Sequence, residues 1–185
     1  MSKKILAPLA TGFEEIEFVS IVDILRRAGL EVIIATLNDD FLVKGAHNII
    51  IKAEVKLSSI NAQMLDGIAL AGGYDGMMNL KKSKEILQLI KDLHADKKLV
   101  SALCASPIVL HEAGVLGGNF TCYPGCEQGL KGTRLEKAVV INENIITSAG
   151  PATASLFALE LVRYLCGEDT YNKLHKELLI PLIKA

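Results

Sequence analysis

The sequence contains no tryptophan, and aromatic residues make up only 5% of it, although half of its residues are hydrophobic. Its core must therefore be built from isoleucine, leucine, valine and alanine. The formal net charge is only -1, which provides no positive surface for nucleic acid or for an anionic membrane. No stretch reaches the ~18 consecutive apolar residues of a membrane span, and the first residues do not have the pattern of a signal peptide. We therefore expect a soluble, cytoplasmic protein that binds neither nucleic acids nor membranes.

Internal repeats, low-complexity segments and flexible linkers are also missing from the sequence. A chain of 185 residues has the length of one domain, so we expect a single domain over residues 1–185. Its four cysteines should be reduced thiols in a cytoplasmic chain. Cys122 and Cys126 have C-x3-C spacing, but no second cysteine or histidine pair matches it. We therefore predict no metal site and no cofactor.

Predicted strands and helices alternate along the chain. The predicted strands are Lys4–Pro8, Glu31–Leu37, Asp66–Gly73 and Lys98–Leu103, with hairpins in Phe41–Val55 (turn around Lys44–Gly45) and Lys137–Gly150 (turn at Asn142–Asn144). The predicted helices are Glu15–Ala28, Ser83–Ala95, Pro107–Ala113, Ala152–Cys166 and Thr170–Leu179. Such alternation indicates an α/β sandwich, with a mostly parallel sheet and helices on both faces. Ligands of such sheets bind beyond the carboxyl ends of the strands, so the loops that follow strands are the candidates for function.

Cys104 stands where the predicted strand Lys98–Leu103 gives way to a predicted helix. Its neighbours are small, with Ala102 two positions before it and Ser106 two positions after it. The tight strand-to-helix turn that presents the nucleophile in G-x-S-x-G motifs requires small residues at these positions. A helix amino terminus beneath the sulfur would favour the thiolate. We expect either an activated nucleophile or, alternatively, a cysteine that merely packs at the end of a strand.

Two other strand ends carry residues that suit a nucleophile. Gly72 and Gly73 allow a close approach of the backbone, and their N–H groups could form an oxyanion hole with that of Ala105. Glu17 follows the first strand and has apolar neighbours. If Glu17 turns inward, burial should raise its pKa and keep it neutral, so that it can donate a hydrogen bond to the Cys104 thiolate. The alternative is a solvated acid on a mixed helix face.

No histidine is placed to complete a Cys-His pair. His47 lies in the second strand of the predicted hairpin and His94 in the last turn of a helix. His111 lies in the helix after Cys104 and His175 in an amphipathic terminal helix. Each position is more typical of a surface or core histidine than of a catalytic one. We therefore expect Cys104 to have an acidic partner.

Five segments, "GFEEIE", "VDILRRAG", "LAGG", "ALCASP" and "TSAGPATA", together resemble the ThiJ/PfpI superfamily over essentially the full length. The resemblance is to the branch that contains the Parkinson-associated protein deglycase and its bacterial relatives. It implies a flavodoxin-like sandwich similar to class I glutamine amidotransferases, which usually dimerises. It also implies cofactor-free glyoxalase chemistry on dicarbonyls such as methylglyoxal, repair of early glycation adducts, chaperone activity, and oxidation of the cysteine to a sulfinate under stress.

The resemblance also implies roles for individual residues. Cys104 matches the family's elbow cysteine, and Glu17 matches the protonated glutamate that forms a hydrogen bond with it. Gly72, Gly73 and Ala105 match the small-residue pocket around the sulfur. The further pocket neighbours expected from it are Tyr123, Cys122, His47 and Pro151.

Some of these positions depart from the family pattern. Tyr123 stands where many members have a histidine. Ala149 replaces an arginine, and His47 sits where a second arginine would be, so we expect weaker anion binding at the pocket mouth. Cys122 or Cys126 could act as a resolving thiol if this segment lies beside the pocket.

The function favoured at this point is a cysteine-dependent glyoxalase or deglycase-like activity. The Cys104 thiolate would attack an aldehyde carbon to form a hemithioacetal, and Glu17 would move the proton between carbons. A non-catalytic oxidative-stress sensor or redox chaperone is the alternative, since it needs only an oxidisable thiol. A glutamine amidotransferase or cysteine peptidase is less favoured. The His175–Glu177 pair lies in a predicted helix, and Ala105 stands where such peptidases place a histidine.

Overall fold

The computed structural model describes residues 2–183. The strands are β1 (Lys4–Leu9), β2 (Glu31–Thr36), β3 (Leu42–Lys44), β4 (Ile50–Lys52), β5 (Val55–Lys56), β6 (Gly67–Leu70), β7 (Leu99–Leu103), β8 (Asn119–Phe120), β9 (Thr133–Arg134), β10 (Val139–Asn142) and β11 (Ile145–Ser148). The helices are α1 (Glu15–Arg27), α2 (Tyr74–Lys82), α3 (Lys84–Ala95), α4 (Pro107–Glu112), α5 (Ala154–Cys166) and α6 (Glu168–Glu177). None of these helices combines the length and the apolar composition that crossing a membrane requires.

A seven-stranded sheet with the strand order β10-β11-β7-β6-β1-β2-β5 forms the centre of the fold. Its neighbouring strands run parallel, except for the antiparallel pair of β10 and β11. Two small sheets, β3 with β4 and β8 with β9, lie outside it. The predicted α/β class with a mostly parallel sheet is therefore confirmed.

Helices cover both faces of this sheet, as predicted. Side chains of α1, α5 and α6 share one buried cluster, and side chains of α2, α3 and α4 share another. β1 contributes to both clusters, because Ile5, Ala7 and Leu9 face the first and Leu6 faces the second. Burial of each large aliphatic side chain stabilises the fold by about 1.5–3 kcal/mol. A core of aliphatic side chains can therefore be stable without tryptophan.

Helix α1 begins and ends where its sequence provides the signals. The Glu14 carboxylate caps its amino terminus by accepting the Glu17 N–H at 2.8 Å, a role that the shorter side chains of Ser, Thr, Asp and Asn more often fill. Its inner face is buried against the sheet and α5. Gly29, at a φ of 81°, follows the last turn, in the left-handed conformation that ends helices. The hydrogen bond from Glu17 to the Glu14 cap also fixes the position of Glu17 at the carboxyl end of β1.

The carboxyl ends of four strands meet at one edge of the sheet. The chain runs from β1 to β2 in one direction, whereas β6 lies on the opposite side of β1, so the strand order reverses between β1 and β6. In the register of the sheet, Leu103 pairs with Ser148 and Leu70 with Ala102. The loops after β1, β6, β7 and β11 therefore lie together at the switch point, where ligands of open α/β sheets bind.

The β3–β4 hairpin differs from its prediction. Its turn is not at Lys44–Gly45 but spans residues 45–49, which places His47 in the turn and not in the second strand. A residue that is distant in the sequence holds this turn, because the Glu15 carboxylate accepts the backbone N–H of His47 at 2.6 Å. Val55 has left the hairpin and pairs with Ala35 in the main sheet.

Helix α2 was not predicted. Its sequence, "YDGMMNLKK", has poor helix formers at Gly76 and Asn79, which lower helical propensity. Packing explains the glycine, because a Cβ at Gly76 would come within 2.9 Å of Phe13 Cα. Close packing against the loop after β1 thus stabilises helix α2 despite its low helical propensity.

Candidate functional site

Cys104 lies on a strained turn directly after β7. Its φ is 63°, a left-handed conformation that is uncommon for residues other than glycine and costs about 1–3 kcal/mol. The backbone is held on both sides: the Cys104 N–H donates to the Ser148 carbonyl at 3.0 Å, and the Tyr123 N–H donates to the Cys104 carbonyl at 2.9 Å. Only 9% of the residue is exposed. The predicted elbow geometry is therefore present, although α4 begins only at Pro107.

Ser106 fixes this elbow to the neighbouring strand. Its buried hydroxyl donates to the carbonyl of Ala71, at the end of β6, at 2.6 Å. The contact brings the elbow against the Gly72–Gly73 loop. The sequence analysis treated Ser106 only as a small residue. Its position directly before the helix-starting Pro107 was the available signal that its hydroxyl has a structural partner.

Glu17 is turned inward and has no exposed surface. Its Oε2 accepts the Gly72 N–H at 2.6 Å. Its Oε1 is buried without a hydrogen-bond partner of ordinary geometry among the described residues. Burial raises the pKa of Glu17 to about 7. Close to neutral pH this side chain therefore retains a proton in a substantial fraction of molecules, and it has a free oxygen to carry that proton.

The two glycines after β6 are required by the packing of the site. A Cβ on Gly72 would lie 2.7 Å from the Cys104 Cβ and 2.7 Å from Glu17 Oε2. Gly73 has a φ of 85°, and a Cβ there would overlap the Gly12 carbonyl oxygen. The missing side chain at Gly72 thus leaves room for the Glu17 carboxyl to act directly on the Cys104 thiol. This is the close approach that the sequence analysis expected of the glycine pair.

The electrostatics of the Cys104 thiol involve opposing effects. Burial and then the negative charge of Glu17 raise its pKa, while the N–H groups of Gly73 and Ala105 act in the opposite direction. The N–H groups at the elbow favour the thiolate as expected, but burial outweighs them. Helix α4 is short and starts beyond the elbow. A thiolate at Cys104 is compatible with this site when Glu17 holds a proton, which removes the charge next to it.

The segment after β8 lies beside the elbow, but its thiols face elsewhere. Tyr123 is half-exposed and bonded to the elbow through its N–H. Cys122 packs in the cluster on the opposite face of the sheet from Cys104. There its sulfur lies 3.9 Å from Glu127 Oε2, and burial raises its pKa to about 11. Cys122 and Cys104 thus belong to different buried clusters, and a resolving role of Cys122 or Cys126 stays a prediction.

His47 lies near the amino terminus of α1, in contact with two buried acids. Its Nδ1 lies 2.9 Å from Glu15 Oε2 and 4.0 Å from Glu14 Oε1. One ligand atom from each of these three residues lies within 4.8 Å of the others, a spacing that a cation could bridge. Both Glu15 oxygens already accept hydrogen bonds from the hairpin turn, so the cluster acts as a clamp on that turn.

The remaining predicted neighbours lie around the rim. The backbone of Gly150, next to Ala149 and Pro151, lies against the ring of Tyr123, since a Cβ on Gly150 would be 3.3 Å from its Cδ2.

His175 lies in α6 and stacks on Tyr171, with ring centroids 5.4 Å apart. The predicted helical setting of the amidotransferase-like pair is thus confirmed.

The sequence is similar to proteins of one known family. Residues 3–164 match the sequence model of the DJ-1/PfpI family. The chain is 35% identical to the Drosophila melanogaster protein dj-1beta over 97% of its own length and 98% of the relative. It is also 35% identical to the Caenorhabditis elegans glutathione-independent glyoxalase DJR-1.2, over 89% of each chain.

Solved structures agree with these sequence matches. The crystal structure of Drosophila melanogaster DJ-1beta superposes with a TM-score of 0.93 at 36% identity, covering 97% of this chain and 98% of that one. The oxidised Toxoplasma gondii DJ-1 superposes with a TM-score of 0.90 at 36% identity, covering 96% and 98%. The chain therefore belongs to the DJ-1/PfpI family, as the resemblance of its five segments to the ThiJ/PfpI superfamily predicted.

Proposed function

We propose that the protein is a cysteine-dependent glyoxalase or deglycase-like enzyme that acts on methylglyoxal-type dicarbonyls or their early adducts without a cofactor. The observation that carries the proposal is the pairing of Cys104 and Glu17 across Gly72. The thiol sits on a strained elbow, and the carboxyl is buried with a raised pKa and a free oxygen. Raised carboxyl pKa values next to a nucleophile are typical of catalytic sites.

The chemistry follows from the positions of these groups. The Cys104 thiolate adds to the aldehyde carbon of methylglyoxal and forms a C–S bond, and the N–H groups of Gly73 and Ala105 stabilise the resulting oxyanion. Glu17 gives its proton to this oxyanion, which makes the adduct a hemithioacetal and leaves Glu17 ionised. Glu17 as the carboxylate then takes the proton from the former aldehyde carbon and returns it to the neighbouring carbon, leaving a thioester. Water hydrolyses the thioester to lactate and restores the thiol, so the net reaction adds one water to methylglyoxal.

The relatives support this substrate class. The worm protein carries the name glutathione-independent glyoxalase, which describes dicarbonyl chemistry without an external thiol. In this chain Cys104 would supply that thiol. Deglycase activity would reach the same hemithioacetal by exchange: a C–S bond to Cys104 forms at the carbonyl-derived carbon of an early adduct, the bond from that carbon to the protein thiol or amine breaks, and the released group takes the proton of the Cys104 thiol.

The test is lactate formation from methylglyoxal by Cys104→Ser and Glu17→Gln. We expect Cys104→Ser to be inactive, and Glu17→Gln to lose about 100-fold or more, the usual contribution of a general acid-base group. Cys166→Ser is the matched control, because Cys166 is a free thiol at the end of α5, away from the elbow. Lactate production at the wild-type rate by either site variant would contradict the proposal.

A second candidate function is an oxidative-stress sensor or redox chaperone that uses the same thiol. The N–H groups of Gly73 and Ala105 that act on the Cys104 sulfur could also hold the oxygens of a sulfinate. The Toxoplasma relative is described as oxidised. This role and catalysis can coexist, since both need an accessible thiolate.

We propose in addition that the protein works as a cytoplasmic homodimer. The four cysteines are free, the state that a reducing compartment maintains. Both α1 and the β3–β4 hairpin carry exposed apolar side chains. These include Ile16, Val19, Ile49 and Ile50.

A further inference from the structure

Glu14 closes a ring of three hydrogen bonds at the candidate site. The Gly72 N–H donates to Glu17 Oε2 at 2.6 Å, and the Glu17 N–H donates to Glu14 Oε2 at 2.8 Å. The Glu14 N–H completes the ring by donating to the Gly72 carbonyl at 3.0 Å. Each of the three residues therefore fixes the position of the other two, and the Gly72 loop is tied to the first turn of α1.

Glu14 also affects the charge state of the site. Only 8% of Glu14 is exposed, and no lysine or arginine pairs with it within residues 2–183; His47, at 4.0 Å, is the cationic group in reach. A carboxylate in such a poorly solvated place is weakly screened from its neighbours. Glu17 is the neighbour concerned: burial raises its pKa first, and the charge of Glu14 raises it further.

We propose that Glu14 is a positioning residue, which holds Glu17 against Gly72 and keeps a proton on Glu17 for use at Cys104. The inference rests on the proposed function of Cys104 and Glu17. Without the Glu14 charge, Glu17 loses its proton at lower pH. An ionised Glu17 then suppresses the neighbouring thiolate, because two negative charges cannot easily share one buried site.

The test is the rate at which iodoacetamide alkylates Cys104, followed on the Cys104 peptide by mass spectrometry over a range of pH. Glu14→Gln keeps an oxygen that can accept the Glu17 N–H but removes the charge. We expect alkylation near neutral pH to fall by about 3- to 10-fold, the equivalent of roughly half to one pKa unit in Glu17. Glu15→Gln is the matched control, because Glu15 is also buried in the first turn but bonds to the hairpin turn. Its alkylation profile should match that of the wild type.

A Glu17→Gln background separates this role from a merely structural one. In that background residue 17 has no proton to lose, so Glu14→Gln should cause no further change in the pH profile. An equal fall in both backgrounds would overturn the inference. If Glu17→Gln alone leaves alkylation of Cys104 unchanged, both the proposed role of Glu17 and the inferred role of Glu14 fail. If Glu17→Gln changes the rate and Glu14→Gln does not, only the role of Glu14 fails.

Discussion

At the scale of single residues, Cys104 and Glu17 behave as one unit with a shared negative charge. Both are buried, and an ionised Glu17 raises the pKa of the thiol while burial raises the pKa of Glu17 to about 7. Two ionised groups on either side of Gly72 would repel each other at short range. The reactive form is therefore the one in which Glu17 holds the proton and Cys104 holds the charge. Any reaction of this thiol should depend on the acid next to it.

Selective oxidation follows from this dependence. We expect mild hydroperoxide treatment to add two oxygen atoms to Cys104 before it modifies Cys126 or Cys166, although these two thiols are also partly accessible. Each oxygen comes from one hydroperoxide, which is reduced to the alcohol or water. The reason is that Cys104 has the N–H groups of Gly73 and Ala105 to stabilise the negative product.

Mass spectrometry of the separate cysteine peptides checks this prediction, with Glu17→Gln as the comparison. Glu17→Gln removes the charge that suppresses the thiolate and keeps an N–H donor next to it. The oxidation of Cys104 should therefore be at least as fast as in the wild type, and that of Cys166 should stay unchanged. Equal oxidation of all accessible cysteines in the wild type would argue against a sensor role.

At the scale of elements, the Glu15–His47 clamp determines how the β3–β4 hairpin is held. Although burial alone raises the pKa of Glu15, hydrogen bonds from the side chain and backbone of His47 lower it overall. The hydrogen bond to Glu15 and its charge raise the pKa of His47. The Glu15 contribution is complete above its unfolded pKa and is lost as the pH falls through the lowered value. The His47 contribution is complete below its unfolded pKa and is lost as the pH rises through the raised value.

The clamp should therefore be strongest between about pH 4.5 and 6.5, the ordinary pKa values of the two side chains. We expect amide hydrogen exchange of the turn, corrected for its intrinsic pH dependence, to quicken above this window as His47 loses its charge. The amides of His47 and Ile49, which donate to Glu15, report on it directly. His47→Gln should remove the change on the alkaline side, and His175→Gln, in α6, should preserve it. Wild-type protection that stays constant above this window would contradict the assignment.

The same elements show what a sequence pattern can predict. The strands and the long helices were found because their apolar residues recur with the period of the element that buries them. The turn at Cys104 was predicted correctly because a tight strand-to-helix turn requires small flanking residues, and these can be read from the local sequence. The hairpin turn was misplaced because its partner, Glu15, is distant in sequence. The missed helix α2 depends on Gly76 fitting against Phe13, and the raised pKa of the thiol depends on burial. Both are properties of the assembled fold.

At the scale of the whole molecule, the strand order explains why the site lies where it does. The strand order reverses between β1 and β6; Glu17 follows β1 in the first turn of α1, and Gly72 lies in the loop after β6. The adjacent β7 carries Cys104, and the end of β11 supplies the Ser148 carbonyl that holds the elbow backbone. Each functional group thus comes from a different strand end, and the switch point gathers them. The acid is carried by α1, whose exposed Ile16 and Val19 are candidates for contact with a second copy.

These exposed side chains lead to the last prediction. Ile16 is 59% exposed and Val19 is 50% exposed on α1, and a shallow groove lined by Val19, Val22 and Ile51 joins the helix to the hairpin. Charged Asp23 and Arg26 also line this groove, and exposed apolar side chains with a polar border are typical of an interaction site. We expect the wild type to be a dimer by light scattering, and Ile16→Glu with Val19→Glu to be a folded monomer, because burial of two carboxylates in an apolar interface is unfavourable.

The matched control is Leu182→Glu, which changes an equally exposed apolar residue next to α6 and should leave the dimer intact. Circular dichroism establishes that the double variant keeps its helices, so that loss of the dimer cannot be confused with unfolding. A dimer that survives both substitutions on α1 would move the interface elsewhere. Since α1 also carries Glu17, a monomer with lowered reactivity of Cys104 would show that the second copy supports the position of the acid. A monomer with unchanged reactivity would show that the hydrogen bonds between α1 and the Gly72 loop are sufficient for it.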